Sequence, residues 1–263
     1  MCDFKLTIAL NTPHSIEMGK ASSKRGPKRH VQQLLFRHGG KRKGAGRKPR
    51  GARAGSRHQT RPEVKPYHAL HITMRVVEAV GSMRRREMYR AVRDASVVAA
   101  VRERIRIVHL SVQCNHIHML AEAEDEKTLA RGMQGFQISV ARNVNTVLGI
   151  DRFRRRRGPV FADRYHVEVI KSPTQARHAL SYVMNNWRKH REDQQGLAGT
   201  WLVDPFSSGI WFPDWKELED KPTMWPIRET YDPLIVRRPA SWLLREGWKK
   251  AGPISYRDVP SKH

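Results

Sequence analysis

Cysteine is almost missing from this chain. Cys2 and Cys114 are the only two in 263 residues. They can build neither a disulfide framework nor a Cys-x-x-Cys zinc site, which fits a reducing, cytoplasmic setting. Acidic residues are also scarce, 25 against 50 Lys and Arg, and the formal net charge is +25. A surface of that sign suits a polyanion such as DNA or RNA. Long apolar runs are absent, so no stretch approaches a membrane span, and the N-terminal residues carry no continuous apolar signal segment. Two zinc chemistries lack their motifs. A deaminase needs a His-x-Glu followed by Pro-Cys-x-x-Cys, and a metalloprotease needs His-Glu-x-x-His on a helix.

What is present divides the chain into three. From Lys20 to Lys65 there are sixteen Lys or Arg and one acid, Glu63, spaced by Gly, Pro and Ser. Such a segment buries too little apolar surface to offset its ordering entropy, so residues 1–66 are expected to be a disordered basic tail. Its Gly-flanked arginines resemble minor-groove arms, but generic phosphate attraction is the simpler and preferred account. Residues 67–193 alternate strand and helix patterns. Residues 194–263 turn to Gly, Pro and Trp and are expected as an irregular extension, with a short helix near Ala240–Trp248. All seven tryptophans lie from Trp187 onward. They serve either to pack that extension on the core or to stack on bases.

Within the middle region, Tyr67–Val77 reads as a strand and Ser82–Val101 as an amphipathic helix with Met88, Val92, Ala95, Val98 and Ala99 on one stripe. Arg104–Val112 and Asn115–Ala121 read as two strands joined by a tight turn at Gln113-Cys-Asn115. The acidic run Glu122–Glu126 suits a helix start, and Lys127–Leu148 continues with Leu129, Met133, Phe136, Val140, Val144 and Val147. Val160–Ile170 is the fourth strand. Ser172 is an N-cap and Pro173 the first position of a helix running to about His190. The fold class is therefore α+β: a ferredoxin-like β-α-β-β-α-β antiparallel sheet, with an added helix and the irregular C-terminal extension.

Two features of this frame carry chemistry. On a strand, His116 and His118 share one face and Ile117 takes the other. They are either an incipient metal site lacking a third ligand or two strand histidines with ordinary hydrogen bonds. On the last helix, Tyr182 and Asn186 are four residues apart and share a face. Tyr182 is either a covalent nucleophile or a half-buried helical tyrosine. Cations around it are expected to favour the phenolate.

Three blocks in this arrangement resemble a known family: Val112-Gln-Cys-Asn-His-Ile-His-Met-Leu120, Gly158-Pro-Val-Phe-Ala-Asp-Arg-Tyr-His166 and Tyr182-Val-Met-Asn-Asn-Trp-Arg188. With Asp204-Pro-Phe-Ser-Ser-Gly-Ile-Trp-Phe212, they resemble the single-tyrosine HUH nucleases, and most closely the REP-associated tyrosine transposases of bacteria. An Asn-Pro pair usual after the tyrosine is replaced here by Asn186-Trp187.

The resemblance implies a metal-dependent single-stranded DNA endonuclease and strand transferase, acting at hairpin or palindromic elements. It implies Tyr182 as the nucleophile forming a 5′-phosphotyrosine, and His116, His118 and Asn186 as ligands of a divalent metal, Mg or Mn. Single-stranded or hairpin DNA would lie against Arg154, Arg155, Arg156, Arg157, Arg164, Arg177, Arg188 and Lys189. The expected location is the bacterial cytoplasm, at the nucleoid, with no membrane partner and either a monomer or a homodimer. The alternative is a domesticated nucleic-acid-binding protein that does not cut.

Overall fold

A computed structural model describes residues 61–102, 104–149, 155–194, 201–218 and 231–260. The basic tail lies outside this set except for Arg61–Pro66. Those residues pack on the domain: Val64 is buried and its N–H donates to Glu126 Oε1 at 3.0 Å. The Arg61 guanidinium lies 4.2 Å over the Tyr165 ring.

Four strands, β1 (Ala69–Arg75), β2 (Arg106–Val112), β3 (His116–Glu122) and β4 (His166–Ile170), form one antiparallel sheet in the order β2-β3-β1-β4. Helices α1 (Arg86–Arg102) and α2 (Glu126–Val147) complete the ferredoxin-like order, and α3 (Pro173–Lys189) follows β4. A short α4 (Trp242–Arg245) lies near the end of the chain.

Period-2 alternation decides which helix each side chain meets. Leu70, Ile72 and Met74 of β1, with Met119 and Ile117 of β3 and Leu110 of β2, join Met88, Val92, Phe136 and Val140 of α1 and α2 in one buried cluster. The other face meets α3. There Ala69, Leu120 and Ile170 pack on Ala176, Leu180, Val183 and Met184. This second face is apolar only at one end. Toward the other end come His71 opposite Glu168, Thr73 between His118 and His166, and Arg75 opposite His116.

Helix starts follow local chemistry. Asp125 caps α2 by accepting from Thr128 N at 2.6 Å. Ser172 caps α3 by accepting from Gln175 N at 3.2 Å, with Pro173 in the first turn, as the sequence predicts. Ser82 does not start α1. Met83 N donates to the Cys114 carbonyl at 2.8 Å and Arg84 N to Ser82 Oγ at 3.2 Å, which holds this stretch against the hairpin so that the helix begins at Arg86. The fourth strand is also shorter than expected. Phe161 makes an isolated bridge to Val76, and regular pairing resumes only at His166.

The described part of the extension wraps the α3 side of the sheet. Val112 N donates to the Phe206 carbonyl and Ser208 N to the Leu110 carbonyl, each at 2.8 Å, so this segment covers the β2 edge. Trp215, Trp248 and Phe212 are buried beside α3. Glu122 ends β3 and belongs to this anchoring rather than to the helix start expected of its acidic run. Its buried carboxylate accepts from Ser241 N at 2.8 Å and Ala240 N at 2.9 Å. Trp211 and Trp242 stay half exposed. Among the described residues no helix is long and apolar enough to cross a membrane.

Candidate active site

The β3 pleat aims His116 and His118 at the α3 face, with ring centroids 4.6 Å apart and planes at 87°. Each imidazole is held through Nδ1. That atom of His118 lies 3.2 Å from Thr73 Oγ1 and 3.3 Å from His71 Nε2. In His116 it lies 2.6 Å from Asn115 Oδ1. Protonation at Nδ1 lets each ring donate to these neighbours and leaves the Nε2 lone pair for another partner. His118 Nε2 is buried without any hydrogen bond.

Both rings are neutral bases at physiological pH. Burial is the main cause of the depression of His118 to about 2, helped by the adjacent His116 and His71. His116 falls to about 4 for the same reason, with His190, Arg75 and Lys189 adding repulsion.

Tyr182 projects from the middle of α3 toward this pair. Its ring lies 5.0 Å from the His118 ring and 5.9 Å from that of His71, edge-on to both. The expected phenolate is not favoured by the protein alone: burial raises the Tyr182 pKa above its usual value. Lys189 Nζ sits 4.9 Å over the ring, where it meets the π face.

Asn186, one turn further along α3, is fully buried, and neither its amide oxygen nor its amide nitrogen has a hydrogen-bond partner. Such an orphaned amide costs about 1–3 kcal/mol unless something else satisfies it. Among the described residues no group of three His, Cys, Asp or Glu is placed to hold a metal. A cation here would therefore draw on two imidazoles and an amide oxygen, and these unpaired atoms fit that donor set.

A cleft of about 470 Å³ opens beside Tyr182, between the β1–β4 end of the sheet and α3. His71, Thr73, His118, Gln175 and Lys189 contribute to its walls.

Residues 66–186, which carry this whole arrangement, match the family described as IS200-like transposases. No curated protein matches this chain in sequence. Two solved structures are similar at 15% identity. One is a REP-associated tyrosine transposase bound to a REP hairpin, covering 71% of this chain and all of that one at a TM-score of 0.42. The other, from Deinococcus radiodurans R1 and assigned as a transposase, covers 54% of this chain and 98% of its own at 0.33.

The basic side chains expected against a polyanion are unevenly available for that role. Arg155, Arg156 and Arg157 line a concavity of about 540 Å³ with Asn145 and Gly158. Within it, Arg156 Nη1 donates to Asn145 Oδ1 at 2.8 Å, and Gly158 holds the turn at φ +132°. Arg164 is exposed, and Arg154 lies outside the described residues. Arg177 and Arg188 have donors engaged by the chain's own groups. Arg177 Nη2 donates to the Pro253 carbonyl at 2.8 Å and pairs with Asp258. Arg188 reaches the Tyr256 carbonyl at 2.7 Å, Asp193 at 3.0 Å and the Leu202 carbonyl at 3.1 Å. These two fasten the residues that follow α3 to the helix itself.

His71, Thr73, Glu168 and Gln175 belong to this neighbourhood, and no local motif announced them. The available signal was parity: His71 and Thr73 alternate with the buried Leu70, Ile72 and Met74 and so share a face.

Proposed function

We propose that this transposase is a single-stranded DNA endonuclease and strand transferase of the REP-associated, single-tyrosine HUH type, acting beside hairpin or palindromic elements. The observation that carries the reading is the Tyr182 ring set edge-on, 5.0 Å away, against a histidine whose outer nitrogen is buried and unpaired.

In this reading Tyr182 Oη attacks the scissile phosphorus. A bond from Oη to phosphorus forms and the bond from phosphorus to the 3′-oxygen breaks. Net, the phenol's proton ends on the departing 3′-hydroxyl, and the 5′-phosphate stays on the tyrosine. A second 3′-hydroxyl attacking that linkage reverses the exchange and joins strands with no other energy source. His116 and His118, through Nε2, and Asn186, through its amide oxygen, would hold a divalent cation, Mg or Mn. That ion supplies charge neutralisation at the phosphate and makes the phenolate accessible. Thr73, His71 and Asn115 keep the two imidazoles in the required tautomer. Lys189 fixes the tyrosine ring from above. The arginines at 155–157 and 164 attract the backbone. We further assign residues 67–193 as the transposase domain, 1–66 as a basic tail adding phosphate attraction, and 194–263 as an extension that braces α3.

A gel assay tests this. Purified protein is mixed with labelled hairpin-flanked single strands and Mn or Mg. A protein–DNA band that survives denaturant and is lost in Tyr182→Phe is the expected result. Tight binding with no adduct across a broad hairpin pool would leave a binding protein, and the two histidines would be ordinary strand residues.

A further inference from the structure

We infer that Glu192 is a positioning residue whose carboxylate latches the end of the tyrosine helix to the turn from which the histidine strand starts. The catalytic consequence rests on Tyr182 as the nucleophile; the latch itself does not.

The packing of α3 leaves a need for such a tie. Ala176, Leu180, Val183 and Met184 hold the helix against Ala69, Leu120 and Ile170 at the apolar end of the sheet face. The other end of that face offers Thr73, His116 and His118, and the buried Asn186 amide on the helix has no hydrogen-bond partner. Arg188 ties this end of the helix to the extension, through the Tyr256 and Leu202 carbonyls, and not to the sheet. A site assembled from two elements works only when they are held within about 0.5 Å of the productive geometry.

Glu192 joins the two elements. Beyond His190 the chain turns back at Arg191, whose φ of +57° is a left-handed backbone that non-glycine residues seldom adopt. Among the described residues it is the only non-glycine with positive φ. Such a backbone persists where the surroundings over-determine it. The turn brings Glu192 onto the β2–β3 hairpin. There Oε1 accepts from the Cys114 thiol at 3.0 Å, and Oε2 lies 2.9 Å from Arg84 Nε. The Glu192 and Arg84 side chains are only 13% and 8% exposed, so salt screens this ion pair little. Both partners are fixed to the hairpin. Cys114 precedes His116 by two residues, and its carbonyl accepts from Met83 N at 2.8 Å. Arg84 donates to the carbonyl of Val112, the last residue of β2, at 3.1 Å. One carboxylate thus links the chain just past α3 to the start of β3, and so sets Tyr182 and Asn186 against His116 and His118.

The test uses the full chain carrying Glu192→Ala, Cys114→Val or Cys114→Ser, the last of which keeps a hydroxyl donor. Hydrogen exchange read by mass spectrometry reports the latch without any reaction. Amides of residues 184–190 should exchange about ten- to a hundredfold faster in Glu192→Ala, while those of 174–180 keep the parent rate. Cys114→Val should move in the same direction by less, and Cys114→Ser should match the parent. Single-turnover adduct formation with saturating hairpin-flanked single strands in Mn should fall about ten- to a hundredfold in Glu192→Ala, as for other partners that orient an active-site group. The DNA Kd in EDTA should not change. Parent exchange and parent adduct rates in Glu192→Ala would overturn the latch and leave the nuclease standing. Faster exchange with an unchanged adduct rate would overturn the positioning role. Faster exchange confined to 184–190, in a protein whose parent never forms an adduct, would keep the latch and remove the nuclease.

Discussion

His71 on β1 and His118 on β3 are joined through their rings, Nε2 of the first to Nδ1 of the second, at 3.3 Å. Thr73 adds its hydroxyl to the same nitrogen at 3.2 Å. Partners of this kind set ring orientation and tautomer, and losing one commonly lowers metal affinity about ten- to a hundredfold. His71→Ala and Thr73→Val should each weaken Mn(II) binding by that order, read by titration calorimetry or by the free Mn(II) signal in electron paramagnetic resonance. Thr73→Ser, which keeps the hydroxyl, should bind Mn(II) like the parent. Equal affinity in all four proteins would mean that these contacts do not orient His118.

The placing of the two histidines side by side was legible because their spacing is local. His116 and His118 flank Ile117 on one strand, and period 2 alone puts both rings on one side. Ser172-Pro173 likewise announced α3, and the three- and four-residue stripes announced α1 and α2. His71 was not legible. Its meaning depends on which strand lies beside β1 and in what register, and that is decided by packing across the whole sheet. The same holds for Arg177 and Arg188. Positive charge on the tyrosine helix reads as DNA contact, and nothing in the sequence tells that Pro253, Tyr256 and Asp193 also engage these donors. Glu122 reads as part of an acidic helix start until the backbone of Ala240 and Ser241 is found on its carboxylate.

His109 gives the fold a pH dependence away from His116 and His118. It is buried, and its Nδ1 lies 3.0 Å from Ser208 Oγ, which also accepts from Leu110 N. The hydroxyl thus donates to a neutral ring, and burial lowers the His109 pKa to about 4. The unfolded chain, with a value near 6.5, binds the proton more readily between these limits. Stability is therefore complete above about pH 6.5 and is lost as pH falls toward 4, by about 3 kcal/mol from this group. His109→Gln keeps an acceptor without the titration. Urea unfolding between pH 7 and 4 should show that variant losing about 3 kcal/mol less than the parent. An unchanged slope would assign the acid sensitivity to other groups.

Gly132 is where α2 crosses the end of the β2 approach. A Cβ placed there would collide with the Ile105 side chain, which is itself buried. Overpacking of this kind costs about 1–3 kcal/mol. Gly132→Ala should lower the urea midpoint accordingly, despite alanine's better helix propensity of about 1 kcal/mol. In an Ile105→Ala background, which lacks both γ carbons that the new Cβ would meet, Gly132→Ala should cost less. A more stable Gly132→Ala would show that Ile105 moves aside freely.

The strongest polar tie between the extension and the domain is Arg84 with Asp204. Both side chains are buried, and two guanidinium nitrogens reach the two carboxylate oxygens at 2.9 and 2.8 Å. Arg84 Nε also pairs with Glu192, just past the end of α3, at 2.9 Å. Burial alone would lower the Arg84 pKa, and Asp204 and Glu192 more than offset it, so the guanidinium stays charged. Removing one partner of such a pair strands the other, at a cost of about 3–5 kcal/mol. Asp204→Ala should show that loss in urea unfolding, and proteolysis should then release the extension before the domain. Arg84→Met combined with Asp204→Leu removes both charges and should regain most of the stability. If the double variant were no more stable than Asp204→Ala, the stranded charge would not be the cause. The loss would then lie in the Phe206 N–H, which donates to Asp204 Oδ1 at 2.9 Å and has no acceptor once that carboxylate is gone.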